Sequence, residues 1–266
     1  MKNAIILTVL YFVCQFVATL PFVAWHLIQD VPNPMVLNDA DELALSLLLA
    51  SFMMVGHLLF WKDVRLGFRS LVEVPGKMLW VCIPMVLSAM FVLHVFNECL
   101  NLPNWNVNMF KDMSGSVWGV LSIVVGAPVV EEFLFRGGVM NSLHKAGYSS
   151  WVVIVVSAVI FGLAHLNPAQ MPFSFLLGLL LGWLYYRTGS LIPGILCHFI
   201  NNSLGVQILR SDYADATMIE LSGGMMPLLG GVVVAVIVFG VSLFYARRFL
   251  RPVNSTFVSE ESVERS

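Results

Sequence analysis

"WVVIVVSAVIFGLAHLNPAQMPFSFLLGLLLGWLYY", residues 151–186, contains no Asp, Glu, Lys or Arg. The uncharged run begins at Ala146, so it is too long for one membrane crossing, which needs about 20 apolar residues of helix. Within it, "NPAQMP" at 167–172 has the Asn and Pro residues typical of a turn. The sequence therefore predicts a membrane-embedded hairpin of two helices.

The rest of the chain has the same character. Of its 266 residues 58% are hydrophobic and 11% are charged, which is far too apolar for an ordinary soluble domain. Eight apolar segments are visible, at roughly 4–27, 43–61, 79–97, 117–136, 151–166, 171–186, 190–209 and 226–246. We predict an all-α, polytopic transmembrane helix bundle of about eight spans, forming one domain over 1–251. The polar tail, 252–266, is predicted to be disordered and cytoplasmic.

The distribution of positive charge predicts the orientation of this bundle. With the N-terminus inside, 12 of the 14 Lys and Arg residues fall on the inner side, and only Lys111 and Arg210 fall outside. Cytoplasmic loops hold such an excess, so both termini are expected in the cytoplasm, in the plasma membrane if the source is bacterial. The few basic residues form no single patch, which argues against a nucleic-acid partner. The expected surroundings are membrane lipid.

A second stretch, "GAPVVEEFLFRGG" at 126–138, places two carboxylates and an arginine inside an apolar run. Glu132 and Arg136 are four residues apart, so they are neighbours on one helix face and predict an internal ion pair. Glu131 is rotated by about 100° from Glu132 and needs a partner from another helix. The alternative is that the three residues mark a helix end at the membrane surface, with solvated glutamates and a snorkelling arginine.

Two histidines lie in segments that are otherwise empty of charge. Glu131 lies 17 residues before Tyr148, the centre of the "AGYSS" connection, and His165 lies 17 after it. In an antiparallel hairpin these two side chains lie at the same depth. His198 and Asn202 are four residues apart on the seventh span and can face one point in the bundle, although their level relative to the first pair depends on helix offset.

This set of side chains suits the activation of water. A carboxylate in a low-dielectric cavity can act as a general base, here Glu131, with His165 sharing or relaying the proton. His198 and Asn202 could donate hydrogen bonds to the oxyanion formed when water attacks a peptide carbonyl. Glu, His and His also form a known zinc set, so a metal-bound water at Glu131, His165 and His198 is a second mechanism. The HExxH helix is absent.

At these positions the sequence resembles the CPBP intramembrane proteases, which include type II CAAX prenyl endopeptidases and bacteriocin-processing proteins. "EEFLFR" matches EExxxR, "FGLAH" matches FxxxH and "HFINN" matches HxxxN, in the family's order and within about 117–209. The resemblance implies a protease core over those residues and an endopeptidase acting on a membrane-associated or lipidated protein or peptide. It assigns catalysis to Glu131, His165, His198 and Asn202, and a supporting role to Glu132, Arg136 and Phe161. A metal-free mechanism is favoured, with Zn²⁺ as the alternative.

A different class of protein stays open. A transporter or scaffold could use a buried Glu/His network to carry protons or to hold the bundle together. Transporters often contain repeated halves, and the sequence contains no internal repeat, which favours the enzyme.

Overall fold

In the computed structural model of the protein, residues 1–37, 39–61 and 76–249 are described. They form ten helices and no strand. The helices are α1 Lys2–Ile28, α2 Ala40–Phe60, α3 Gly76–Leu100, α4 Val107–Ser114, α5 Val117–Lys145, α6 Ser150–Ala164, α7 Met171–Thr188, α8 Ile192–Leu209, α9 Met218–Leu221 and α10 Met225–Phe249. Two segments of α5 are π-helix, Ser122–Gly126 and Glu132–Met140.

The all-α, multi-pass prediction is confirmed, since each of the eight predicted apolar segments lies on a helix. Six helices in the described part are long and apolar enough to cross a membrane, namely α1, α2, α3, α5, α8 and α10, and α6 is a shorter apolar helix of 15 residues. The number of spans and the cytoplasmic location of both termini stay predictions. The predicted tail 252–266 lies outside the described residues, as do Lys62, Arg65 and Arg69, which were assigned to the inner side.

The predicted hairpin is formed by α6 and α7, with the turn between Ala164 and Met171. Gly178 and Gly182 on α7 allow the two helices to pack closely, because a Cβ atom at Gly178 would lie 3.0 Å from the Phe161 ring and one at Gly182 would lie 3.3 Å from Ile154. The spacing of Gly178 and Gly182, four residues apart, favours close helix packing, and here both glycines face α6 of the same chain.

Helices α1, α2, α5 and α6 share one apolar core, and α3, α7, α8 and α10 share a second. Gly138 of α5 lies against α1 and α2. A Cβ atom at Gly138 would lie 3.1 Å from Leu7 Cδ1 and 3.3 Å from Leu58 Cδ2. The glutamates of α5 and His198 of α8 therefore lie where the two groups of helices meet.

The end of α3 meets the loops that follow α6 and α8 at one end of the bundle. The Asn97 side chain donates to the carbonyl of Ala169 at 2.9 Å, and the Glu98 carboxylate accepts from the amide of Met218 at 2.8 Å.

Candidate active site

Glu132 and Arg136 form the predicted ion pair, and both are fully enclosed. Arg136 Nη1 lies 3.1 Å from Glu132 Oε1, while the side chains are 1% and 0% exposed. The guanidinium also donates from Nη2 to the carbonyl of Gly178 at 3.1 Å, and its Cζ lies 4.6 Å from the centre of the Phe161 ring. The alternative of a solvated helix end is therefore wrong.

His198 joins the two glutamates. The residue is 3% exposed, its Nδ1 lies 3.2 Å from Glu132 Oε1, and its Nε2 lies 3.7 Å from Glu131 Oε2. Glu131 thus has a neighbour on another helix, as its rotation away from Arg136 requires. His198 lies at the same depth in the bundle as the glutamates of α5. The sequence did not determine the offset between α8 and α5, and in the structure this offset brings the three side chains together.

Tyr11 is a site residue that sequence reasoning missed. Its hydroxyl donates to Glu131 Oε1 at 3.5 Å, and its ring is buried against Phe135 with centroids 6.5 Å apart. Tyr11 lies on α1, 120 residues before Glu131, and no spacing connects the two. The one signal was a hydroxyl group within an apolar segment.

His165 lies at the end of α6, where its Nδ1 is 2.9 Å from the carbonyl of Phe161. A carbonyl only accepts, so Nδ1 carries the hydrogen and Nε2 is left as an acceptor. Within the described residues no hydrogen bond or ion pair joins His165 to Glu131. The register of the antiparallel pair α5 and α6 nevertheless agrees with the predicted one. Phe135 and Phe161 lie at equal distances in sequence from Tyr148, and their ring centroids are 5.1 Å apart.

Phe161 connects the parts of the site. Its ring is 1% exposed and makes edge contacts with the rings of His165 at 5.0 Å and His198 at 5.8 Å. The same ring lies against Arg136. This supporting residue therefore fixes the relative positions of both histidines and the buried cation.

Asn202 lies on α8 one turn after His198 and reaches α5. Its Nδ2 donates to the carbonyl of Ile123 at 2.8 Å, and its Oδ1 accepts from Asn201 at 2.9 Å. Ile123 belongs to the first π segment of α5, and such segments occur frequently at functional sites. One amide hydrogen of Asn202 is used in this contact and the second is available to a ligand.

Glu131, His165 and His198 form the alternative zinc set. In the described part of the chain no group of three or more His, Cys, Asp and Glu side chains is arranged to hold a metal ion. Glu131 Oε2 and His198 Nε2 lie 3.7 Å apart, whereas no hydrogen bond or ion pair within the described residues joins His165 to either of them. The bond of His165 Nδ1 to the Phe161 carbonyl is also common in metal-ligating histidines, which bind through the other ring nitrogen. The structure thus brings together two of the three predicted ligands, and no step below is assigned to a metal.

The fold and the site together define a multi-pass helical membrane protein with a buried Glu–Arg–His cluster. Residues 113–204 match the family model described as type II CAAX prenyl endopeptidase Rce1-like, so the predicted resemblance is confirmed for this part of the chain. The matched range contains every predicted site residue, while Tyr11 lies outside it.

Three curated proteins illustrate the similarity. The chain is 28% identical over 145 residues to an uncharacterized 24.3 kDa protein of Escherichia coli, covering 50% of this chain and 67% of that protein. It is 30% identical over 131 residues to CAAX prenyl protease 2 of Arabidopsis thaliana, with 42% and 41% covered. It is 25% identical over 162 residues to the probable CAAX prenyl protease 2 of Schizosaccharomyces pombe, with 53% and 59% covered. No solved structure matches the chain.

Proposed function

We propose that the protein is an intramembrane endopeptidase that hydrolyses a peptide bond in a membrane-associated or lipidated protein or peptide. One observation supports this above the others: Glu131 lies beside His198, and its Oε2 is buried without a hydrogen-bond partner. A buried carboxylate oxygen without a partner is costly, and such groups concentrate at functional sites. The confirmed likeness to CAAX proteases points to the same chemistry.

In the proposed reaction, the oxygen of a water molecule attacks the carbonyl carbon of the scissile peptide while Glu131 accepts the proton. His165 shares or relays this proton through Nε2, its acceptor nitrogen. The tetrahedral intermediate then collapses, the carbon–nitrogen bond breaks, and the proton is delivered to the leaving amine. Each proton transfer of this kind contributes typically about 10²–10⁴-fold to the rate.

Asn202 and His198 are proposed to stabilise the oxyanion. The second amide hydrogen of Asn202 is available for this role. His198 would act through Nε2, the nitrogen that lies 3.7 Å from Glu131 Oε2, while its Nδ1 is held by Glu132 Oε1 at 3.2 Å. Removing one oxyanion donor typically costs about 3–4 kcal/mol of transition-state stabilisation.

The proposed substrate follows from location and likeness. The site lies among apolar helices, so the peptide bond must reach it from a membrane-associated protein or peptide. Two relatives are named as CAAX prenyl proteases, which makes a peptide carrying a C-terminal lipidated cysteine the first substrate to test. The matched segment spans 41% and 59% of those two proteins, so prenyl-protein processing is a proposal for this chain. A plasma-membrane location is likewise proposed for a bacterial source.

A comparison of protein termini tests this proposal. Membranes are prepared from cells carrying the wild type, Glu131→Gln or Asp112→Asn at matched abundance, and all termini are quantified by mass spectrometry. Asp112→Asn is the matched control because it also neutralises one carboxylate, at an exposed position of α4.

We expect a set of termini present with the wild type and Asp112→Asn and absent with Glu131→Gln. These termini would also give the cleavage site. If the Glu131→Gln membranes contain the same termini as the wild type while deletion of the protein changes the cells, the protease proposal fails. The proton-carrying or scaffold alternative would then take its place.

A further inference from the structure

The turn after His165 is held by a buried asparagine. Asn167 is 0% exposed, although it lies in the loop between α6 and α7. Its Nδ2 donates to Asn104 Oδ1 at 2.8 Å, and its Oδ1 accepts from the amide of Trp105 at 3.2 Å. The side chain therefore binds a loop more than 60 residues earlier in the sequence, through both ends of its amide. We call the pair Asn104 and Asn167 the asparagine clamp.

The backbone around the clamp is also fixed at several points. The carbonyl of Asn167 accepts from the amides of Gln170 and Met171 at 2.9 Å and 3.0 Å, which starts α7. The amide of Ala169 donates to the carbonyl of Pro103 at 3.2 Å, and its carbonyl accepts from Asn97. The 167–171 turn is thus attached to the loop after α3 by backbone and side-chain bonds.

Between His165 and the clamp lies a strained residue. Leu166 has φ +50°, a left-handed conformation that costs an ordinary L-residue roughly 1–2 kcal/mol. The side chain does not compensate for this by burial, since it is 61% exposed. Strain of this kind persists where the surroundings determine the backbone, and it clusters at active sites.

We infer that the asparagine clamp is a positioning device for His165: it holds the left-handed turn at Leu166 and thereby fixes the imidazole. The histidine is then fixed from two directions, by its own Nδ1 bond to Phe161 at 2.9 Å and by the turn on its other side. The inference rests on the proposed function, because positioning has a catalytic effect only if His165 takes part in proton transfer. A displacement of about 1 Å in such a group can lower a rate by about 10²-fold.

Three variants test the clamp. Asn104→Ala removes the acceptor, Asn104→Asp keeps it, and Asn106→Ala is the matched control in the same loop, since the Asn106 side chain does not cap the helix that follows it. Asn104 is exposed, so its replacement leaves the core unchanged. The substrate is a synthetic peptide spanning the Glu131-dependent cleavage site, and kcat, KM and the unfolding temperature are measured for each purified variant.

We expect Asn104→Ala to lower kcat about tenfold with KM nearly unchanged, and Asn104→Asp and Asn106→Ala to keep kcat near that of the wild type. A wild-type kcat for Asn104→Ala, or an equal loss in Asn104→Ala and Asn104→Asp, would overturn the inference. If Asn104→Ala does not fold, Asn104→Ser replaces it, because a serine hydroxyl can keep the local turn bond that Asn104 Oδ1 accepts from the Asn106 amide at 3.3 Å while its shorter side chain removes the acceptor of Asn167.

Hydrogen exchange separates this inference from the proposed function. Asn104→Ala should increase exchange in residues 165–171 and leave 150–164 unchanged, whatever the protein catalyses. If Glu131→Gln is fully active but the exchange changes as expected, the protease proposal fails and the clamp stands as a structural device without the assigned effect on catalysis. If exchange in 165–171 does not change, the clamp itself is refuted.

Discussion

Gly194 offers a sharp test of the buried charge cluster, because it lies directly against Glu132. A Cβ atom at Gly194 would be 2.6 Å from Glu132 Oε2 and 3.4 Å from its Cδ. Ordinary contacts between nonbonded heavy atoms are about 3.5–4.0 Å. Glu132 has little room to move away, since it is 0% exposed and is held by Arg136 and His198 at 3.1 Å and 3.2 Å.

Gly194→Ala should therefore lower the free energy of unfolding by about 1–3 kcal/mol, the usual cost of overpacking. It should also lower kcat, because a displaced Glu132 no longer fixes His198. Gly205 on the same helix is the matched control, since no atom lies within 4 Å of its Cβ position. Gly205→Ala should be neutral or stabilising by up to about 1 kcal/mol, the helix-propensity difference between the two residues.

The two alanine variants can be compared by equilibrium unfolding in mixed micelles, followed by tryptophan fluorescence. The difference between them is the measured quantity, because both substitutions add one methyl group to α8. Equal stability and equal activity of Gly194→Ala and Gly205→Ala would refute the placement of Glu132 against α8.

Three further predictions concern charge, a hydroxyl group and metal. Arg136→Met should lower the free energy of unfolding by about 3–5 kcal/mol by leaving Glu132 buried and unpaired, and adding Glu132→Gln should restore most of it in thermal unfolding; an additive double variant would contradict the pairing. Tyr11→Phe should lower kcat about 2–10-fold, from a net hydrogen-bond contribution of about 0.5–1.5 kcal/mol, and should lower the unfolding temperature by no more than about 5 °C. Elemental analysis of active protein should find no stoichiometric zinc; zinc lost together with activity would overturn the metal-free mechanism.

Much of the fold was predictable because hydrophobicity and helical period are local properties of the sequence. The eight apolar segments, the "NPAQMP" turn and the close packing at Gly178 each follow from short stretches of residues. The ion pair of Glu132 and Arg136 was predictable for the same reason, since both residues lie on one helix.

Other features depend on contacts between distant segments and could not be predicted. The two π segments of α5 change the rotation of its side chains, and no spacing rule applied to the sequence identifies them. The contact of Tyr11 with Glu131 depends on how α1 packs against α5. The asparagine clamp likewise joins two loops whose meeting depends on the assembled bundle.

In the proposed reaction Glu131 activates water to cleave a peptide bond. To test this, purified wild type and Glu131→Gln, reconstituted in lipid, are incubated with the peptide spanning the Glu131-dependent cleavage site in H₂¹⁸O. We expect the wild type to release two fragments, with one ¹⁸O atom in the new carboxyl group, and Glu131→Gln to release neither. Cleavage by Glu131→Gln at the wild-type rate would contradict it.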